Sequence, residues 1–334
     1  MIKNNKFHFK NLKNVVFLGE DQCLKEFIKF NNNLGIKSEI ITSPSQASSL
    51  DPSLKFKKFL KLDKNFKTYI SSKYKIEETL FISVASRWIF TESLIKNFFK
   101  KNIINFHGQK LPFDSGGGSF SWNIMRNDRI GVQLAHLVTK EIDKGPIINY
   151  EKFLYPYDCK ISKDFYIFFN NKFKFFYKKL ITNLKAKKKY DLIKQPDYIG
   201  RYNPRLFTKK DGWIDWSQSS EELFNFINAF DEPYEGASTM IGNQICRIKK
   251  IQLHGGEGNN HPYMSGLILR HDKKWIVVAT KDNNCLIIES VTDIKKKDIL
   301  QKIKPGQRFY TDFKKLNYSK SKRAFFNSKG LKIK

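Results

Sequence analysis

Residues 14–42, NVVFLGEDQCLKEFIKFNNNLGIKSEIIT, decide the fold. Asn14–Gly19 is an apolar, β-branched run stopped by a glycine, the pattern of a buried strand. Asp21 then precedes a helical pattern in which Cys23, Leu24, Phe27, Ile28 and Phe30 fall mostly on one face, and Gly35 ends it. Ile36–Thr42 reads as a second strand. The rhythm continues with a strand at Thr79–Val84, a helix over Thr91–Phe99 and a strand at Ile103–Phe106. Strands alternating with helices predict an α/β fold, a doubly wound, Rossmann-like and mostly parallel sheet. The first turn reads Gly-Glu-Asp-Gln-Cys rather than GxGxxG, which disfavours an ordinary dinucleotide site.

Further strands are expected at Gly131–Thr139 and Pro146–Phe153, with a helix around Phe120–Met125 between them and the Gly-rich stretch before it. The helix over 164–184 carries a phenylalanine stripe at helical spacing, which reads as packing surface. The 334 residues correspond to roughly two domains. A Lys-rich stretch with Pro196, Gly200 and Pro204 breaks the pattern, so residues 1–185 form the expected catalytic domain and 186–205 a linker. Ser219, with Glu222 three positions on, caps a helix whose Leu223, Phe226, Ile227 and Phe230 share a face. Beyond Ala237 the pattern is short antiparallel strands, so residues 206–295 are expected to form a small OB-like β-barrel. Residues 296–334 form a basic tail.

Composition sets limits on function. No run of about 18 apolar residues occurs, so no membrane partner is expected. The Lys- and Asn-rich start lacks a signal-peptide core, and Cys23, Cys159, Cys246 and Cys285 are dispersed. A cytoplasmic protein is expected, without disulfides and without a metal-ligand cluster. The net charge of +29 is carried mainly by lysine, with nine arginines among the 61 basic residues. That charge admits a nucleic-acid partner, and it equally fits a solvated lysine surface.

Chemistry concentrates at Asn105-Phe106-His107-Gly108, on the C-terminal end of the fourth strand, the edge where open α/β sheets bind ligands. Strand alternation sends Asn105 and His107 to one face and Phe106 to the other. Ser115-Gly116-Gly117-Gly118 follows, a loop that lets backbone approach a ligand, and then a tight turn carrying Asp143. His136, His254, His261 and His271 lack such a setting and read as structural or exposed.

Taken in order, NFHGQKLPFDSGGG, GVQLAHLV and IDKGPI resemble the 10-formyltetrahydrofolate-dependent formyltransferases, over about residues 79–153. Residues 206–237 resemble the junction into the C-terminal domain of the methionyl-tRNA and sugar formyltransferases, a domain that is an OB-like barrel in that family. The resemblance implies formyl transfer from 10-formyltetrahydrofolate to a primary amine, with Asn105, His107 and Asp143 as the catalytic trio. Such a reaction needs a donor at the oxyanion and a group to manage protons, roles that an amide, an imidazole and a carboxylate fill. The resemblance also implies folate contacts from Gln109, Lys110, Leu111 and Pro112, from Trp88, Ile89 and Phe90, and from the Thr139–Ile142 backbone.

Two acceptors compete. The tRNA-type members carry a basic loop where this chain has Phe113-Asp114-Ser115-Gly116-Gly117-Gly118, and Asp114 there is expected to repel tRNA phosphate. That favours the amine of a nucleotide-linked amino sugar. The basic linker and tail favour initiator methionyl-tRNA. A reading from another class is a non-catalytic nucleic-acid binder, which gives the trio no purpose. The oligomeric state is not legible.

Overall fold

The computed structural model describes residues 6–196, 199–255, 259–321, 324–327 and 330–333. The strand β1 (Asn14–Gly19) is buried along its whole length, as the apolar run Val15–Leu18 requires. The chain then forms helix α1 (Leu24–Asn33), β2 (Lys37–Thr42), the short β3 (Phe56–Lys58), helix α2 (Lys64–Lys73), β4 (Thr79–Val84) and β5 (Ile103–His107). Next come β6 (Asp114–Gly116), helix α3 (Ser119–Met125), β7 (Ile130–Leu137), β8 (Ile147–Leu154) and helix α4 (Ser162–Lys185). The main sheet has the order β3-β2-β1-β4-β5-β7-β8. Its first five strands run parallel, β7 pairs antiparallel with β5, and β8 pairs antiparallel with β7. The mostly parallel sheet expected from the sequence is thus present, with an antiparallel edge.

The aromatic stripe of α4 covers one face of this sheet. Tyr177 stacks on Phe27 of α1 at 3.8 Å between ring centroids, and Phe106 of β5 packs against Phe173 at 5.0 Å. Phe106 is therefore committed to the α4 side, which leaves Asn105 and His107 for the opposite side. The edge strand β3 and α2 carry too few apolar residues to read from sequence. Only Phe66 and Ile70 of α2 are buried, and the helix start is fixed by Asp63, whose carboxylate accepts from the Asn65 and Phe66 amides at 3.0 and 3.3 Å. The helix expected over Thr91–Phe99 narrows to a π-helical turn at Leu94–Phe98.

Beyond α4, β9 (Arg201–Asn203) returns to pair in parallel with β6. Helix α5 (Ser220–Ala229) begins at the capping box of Ser219 and Glu222. Strands β10 (Ala237–Ile241), β11 (Gln244–Gly255), β12 (Ile268–His271), β13 (Ile276–Ala279), β14 (Asn284–Asp293) and β15 (Phe309–Tyr310) form an antiparallel sheet. It curls until its edges meet, with the Phe309 amide donating to the Gly266 carbonyl at 2.8 Å and the Ile268 amide to Gln307 at 2.8 Å. Ile299, Leu300, Ile303 and Phe309 are buried in its core, so the barrel draws on residues that composition assigns to the tail. Helix α6 (Phe313–Ser321) follows with no buried residue.

Candidate functional site

The site grows from the end of β5. Antiparallel pairing with β7 sets Asn105 opposite His136 and His107 opposite Leu134. The loop from β7 to β8 folds back so that Asp143, held in the left-handed region at φ 58°, faces both imidazoles. His107 Nδ1 lies 3.6 Å and His136 Nε2 3.7 Å from Asp143 Oδ1. The Gly116 amide donates to Asp143 Oδ2 at 3.2 Å. The turn is close-packed, since a Cβ on Gly145 would stand 1.6 Å from the Leu137 carbonyl oxygen.

His136, read from sequence as structural or exposed, belongs to this cluster. An imidazole on an antiparallel neighbour is invisible to local pattern, and only the strand register brings it beside Asn105. Its Nδ1 lies 2.8 Å from the Leu137 carbonyl, which can only accept, so Nδ1 carries the proton. Nε2 then accepts from Asn105 Nδ2 at 3.1 Å. Burial pushes this histidine down to about 4, against the opposing pull of Asp143, so the ring is neutral at ordinary pH. Asn105 Nδ2 keeps a second N–H for another acceptor. His107 Nε2 is buried with no hydrogen-bond partner among the described residues. The free N–H of an oriented amide is what a developing oxyanion would satisfy. The expectation of no metal-ligand cluster needs correction: His107, His136 and Asp143 present three ligand atoms within 4.8 Å of one another.

A cavity of about 600 Å³ opens over this edge. Asn105, His136 and Asp143 line it, and His107 stands behind Asp143. Of the expected folate contacts, Trp88, Ile89, Phe90, Thr139 and Ile142 line the cavity, whereas Gln109, Lys110, Leu111 and Pro112 do not. Leu111 packs with Val132, Leu134 and Ile147 instead, and Lys110 pairs with Asp128. The opposite wall is formed by Tyr202, Arg205, Phe230 and Tyr234, from the linker and the end of α5. Sequence pattern gave no sign of this wall.

Asp114 does not face solvent as the acceptor argument assumed. Its Oδ1 accepts from Arg201 Nε at 2.7 Å and Asn203 Nδ2 at 3.0 Å, with Arg126 Nη2 at 3.5 Å. Burial pushes its carboxyl up, and these partners outweigh that, holding it below the ordinary range. The charge is consumed inside the β6–β9 contact, so it offers nothing to repel a polyanion.

An α/β sheet with helices on both faces thus carries this amide, imidazole and carboxylate at its C-terminal edge and is joined to a curled antiparallel barrel. Residues 207–302 match the formyl transferase, C-terminal domain, family. The methionyl-tRNA formyltransferase of Mycoplasma capricolum subsp. capricolum is 25% identical over 289 residues, covering 85% of this chain and 87% of that one. The bifunctional polymyxin resistance protein ArnA of Wigglesworthia glossinidia brevipalpis is 28% identical over 251 residues, covering 69% of this chain and 36% of that protein. The fold is shared with WlaRD, a sugar 3N-formyl transferase, at a TM-score of 0.61 and 19% identity, over 83% of this chain and 97% of that one. It is shared equally with the N-formyltransferase of Helicobacter canadensis, at a TM-score of 0.61 and 18% identity, over 83% of this chain and 99% of that one. The family model, the curated relatives and the solved structures all support a formyltransferase family. Among the described residues, no helix is long and apolar enough to cross a membrane.

Proposed function

We propose that the protein transfers the formyl group of 10-formyltetrahydrofolate to the primary amine of a nucleotide-linked amino sugar. The observation that carries formyl transfer is the spare N–H of Asn105 in the same cavity lining as Asp143, with His107 Nδ1 3.6 Å from the Asp143 carboxylate. In the reaction the amine nitrogen bonds to the formyl carbon, and the carbonyl oxygen becomes an oxyanion. Asn105 donates to that oxyanion, and His107 is assigned as its second hydrogen-bond donor. Asp143 accepts the proton leaving the amine, directly or through one water. The intermediate collapses as the bond from carbon to folate N10 breaks and N10 takes up a proton. Trp88, Ile89 and Phe90 offer an apolar wall for the pterin. His136 acts one step back, by turning the Asn105 amide.

The wall of Tyr202, Arg205, Phe230 and Tyr234 supports the sugar acceptor. Aromatic faces and one guanidinium fit a base and a phosphate, and the cavity volume falls in the range of about 300–1,000 Å³ that encloses small ligands. The WlaRD structure was solved in the presence of dTDP and 5-N-formyl-THF, and that of the Helicobacter canadensis enzyme is a complex with folinic acid and dTDP-3-aminofucose. The second reading, initiator methionyl-tRNA, is favoured by the match to a methionyl-tRNA formyltransferase over 85% of this chain and by the net charge of +29. Turnover with 10-formyltetrahydrofolate, offering charged initiator tRNA and a panel of nucleotide amino sugars at rising salt, separates the two. A sugar diphosphate should show shallow salt dependence and a tRNA a steep one, because the tRNA releases many counterions. Formylation of methionyl-tRNA with no turnover of any amino sugar would reverse the acceptor assignment.

A further inference from the structure

We infer that Gln195, in the segment between the two domains, is a positioning residue that holds the Asp143 turn. The inference rests on Asp143 being the proton acceptor. Asp143 is a non-glycine residue at φ 58°, a conformation that costs on the order of 1 kcal/mol and persists only where surroundings impose it. The surroundings here come from the linker. Gln195 is buried, and its Nε2 donates to the Asp143 carbonyl at 2.9 Å and the Gly145 carbonyl at 2.6 Å. One amide thus pins both sides of the turn's backbone. Two residues earlier, Ile193 exchanges backbone hydrogen bonds with Ile147 at 2.8 and 2.9 Å, which fixes where Gln195 enters.

The same segment reaches the Asp143 side chain by a second route. Pairing of β9 with β6 places Gly116, and the Gly116 amide holds Asp143 Oδ2 at 3.2 Å. The Asp114 contacts to Arg201 and Asn203 lock that pairing from within. Backbone and carboxylate of the proton acceptor are therefore both set by residues that enclose no chemistry themselves. A linker that merely spanned two domains would need none of these bonds.

Gln195→Leu keeps the volume and removes both donors. The expected result is a fall in kcat of roughly 10- to 100-fold, with the KM for 10-formyltetrahydrofolate changed less than about twofold. The loss should fall on kcat, because Gln195 holds the backbone of the turn that carries the proton acceptor. A merely structural role would lower the melting temperature and leave kcat per folded molecule in place. Arg201→Leu, on the exposed side of the β6–β9 contact, is the second arm should Gln195→Leu not fold, and the same loss of kcat at unchanged KM is expected. Unchanged kcat in the folded variant would overturn the inference. Asp143→Ala run alongside keeps the two failures apart. If Asp143→Ala abolishes turnover while Gln195→Leu is normal, only the linker's role falls. If Asp143→Ala turns over normally, the assignment of Asp143 falls and this inference with it.

Discussion

Acidification should cost this protein stability through one residue, His136. Its buried ring has been pushed to about 4 from an ordinary 6.5. The folded protein keeps the ring neutral, while the unfolded chain takes up a proton as pH drops through its ordinary value. Acid therefore favours the unfolded chain, and the loss accumulates between about pH 6.5 and about pH 4. Below that window both states are protonated and the loss stops growing. At about 1.4 kcal/mol per unit the full difference is roughly 3 kcal/mol, a large share of the stability of an ordinary domain. The protonated ring would also turn Nε2 from acceptor to donor, against the amide of Asn105. Urea unfolding at about pH 7 and about pH 4.5, on the parent protein and on His136→Gln, isolates the effect. Carboxylates remote from position 136 titrate alike in both proteins and cancel in the difference. The parent should lose between about 2 and 3 kcal/mol more than the variant over that interval. Equal losses would refute the argument that His136 is buried neutral.

Other outcomes follow from the same geometry. His107→Ala and Asp143→Ala should each lower turnover by on the order of 10² to 10³, with binding of 5-formyltetrahydrofolate, measured by titration calorimetry, little changed. Either variant turning over at a near-parental rate would remove that residue from the mechanism. Gly145→Ala should destabilise the protein by more than about 2 kcal/mol, because the new Cβ would overlap the Leu137 carbonyl oxygen at 1.6 Å and backbone on both sides must give way. A melting temperature equal to the parent's would show that the turn relaxes without cost.

The parts of the molecule visible in sequence were those written in a local period. The apolar, β-branched run within Asn14–Gly19 predicted a buried strand, and β1 lies between β2 and β4. Alternation predicted that Asn105 and His107 share a face, and Phe106 packs on the other side against α4. His107 and Asp143, 36 positions apart in the chain, were joined by resemblance, and their side chains lie 3.6 Å apart. What escaped was written in register and in tertiary pairing. His136 enters the site only because β7 runs antiparallel to β5 with Asn105 opposite it. Gln195 sits in a stretch whose Lys and Pro content signals a linker, and nothing local distinguishes an amide that caps a distant turn. Asp114 shows the converse failure. Its charge was legible, but its burial against Arg201 and Arg126 was not, and the electrostatic inference changed with it.

The β6–β9 pairing has a bearing on how this chain could be recombined with its relatives. A composition break near residue 186 invites a crossover there, with barrel and connecting segment imported together. Such a graft would bring a foreign partner for Asp114 and a foreign residue at 195, and the acceptor of the amine proton would lose its seat. A crossover just after Leu206 leaves Gln195, Arg201 and Asn203 with the sheet they grew up against, and imports only the α5 side of the cavity wall. The heritable unit of chemistry thus extends some twenty residues beyond the last helix of the sheet domain, and a chimera's activity, unlike its folding, depends on where within that stretch the join is made.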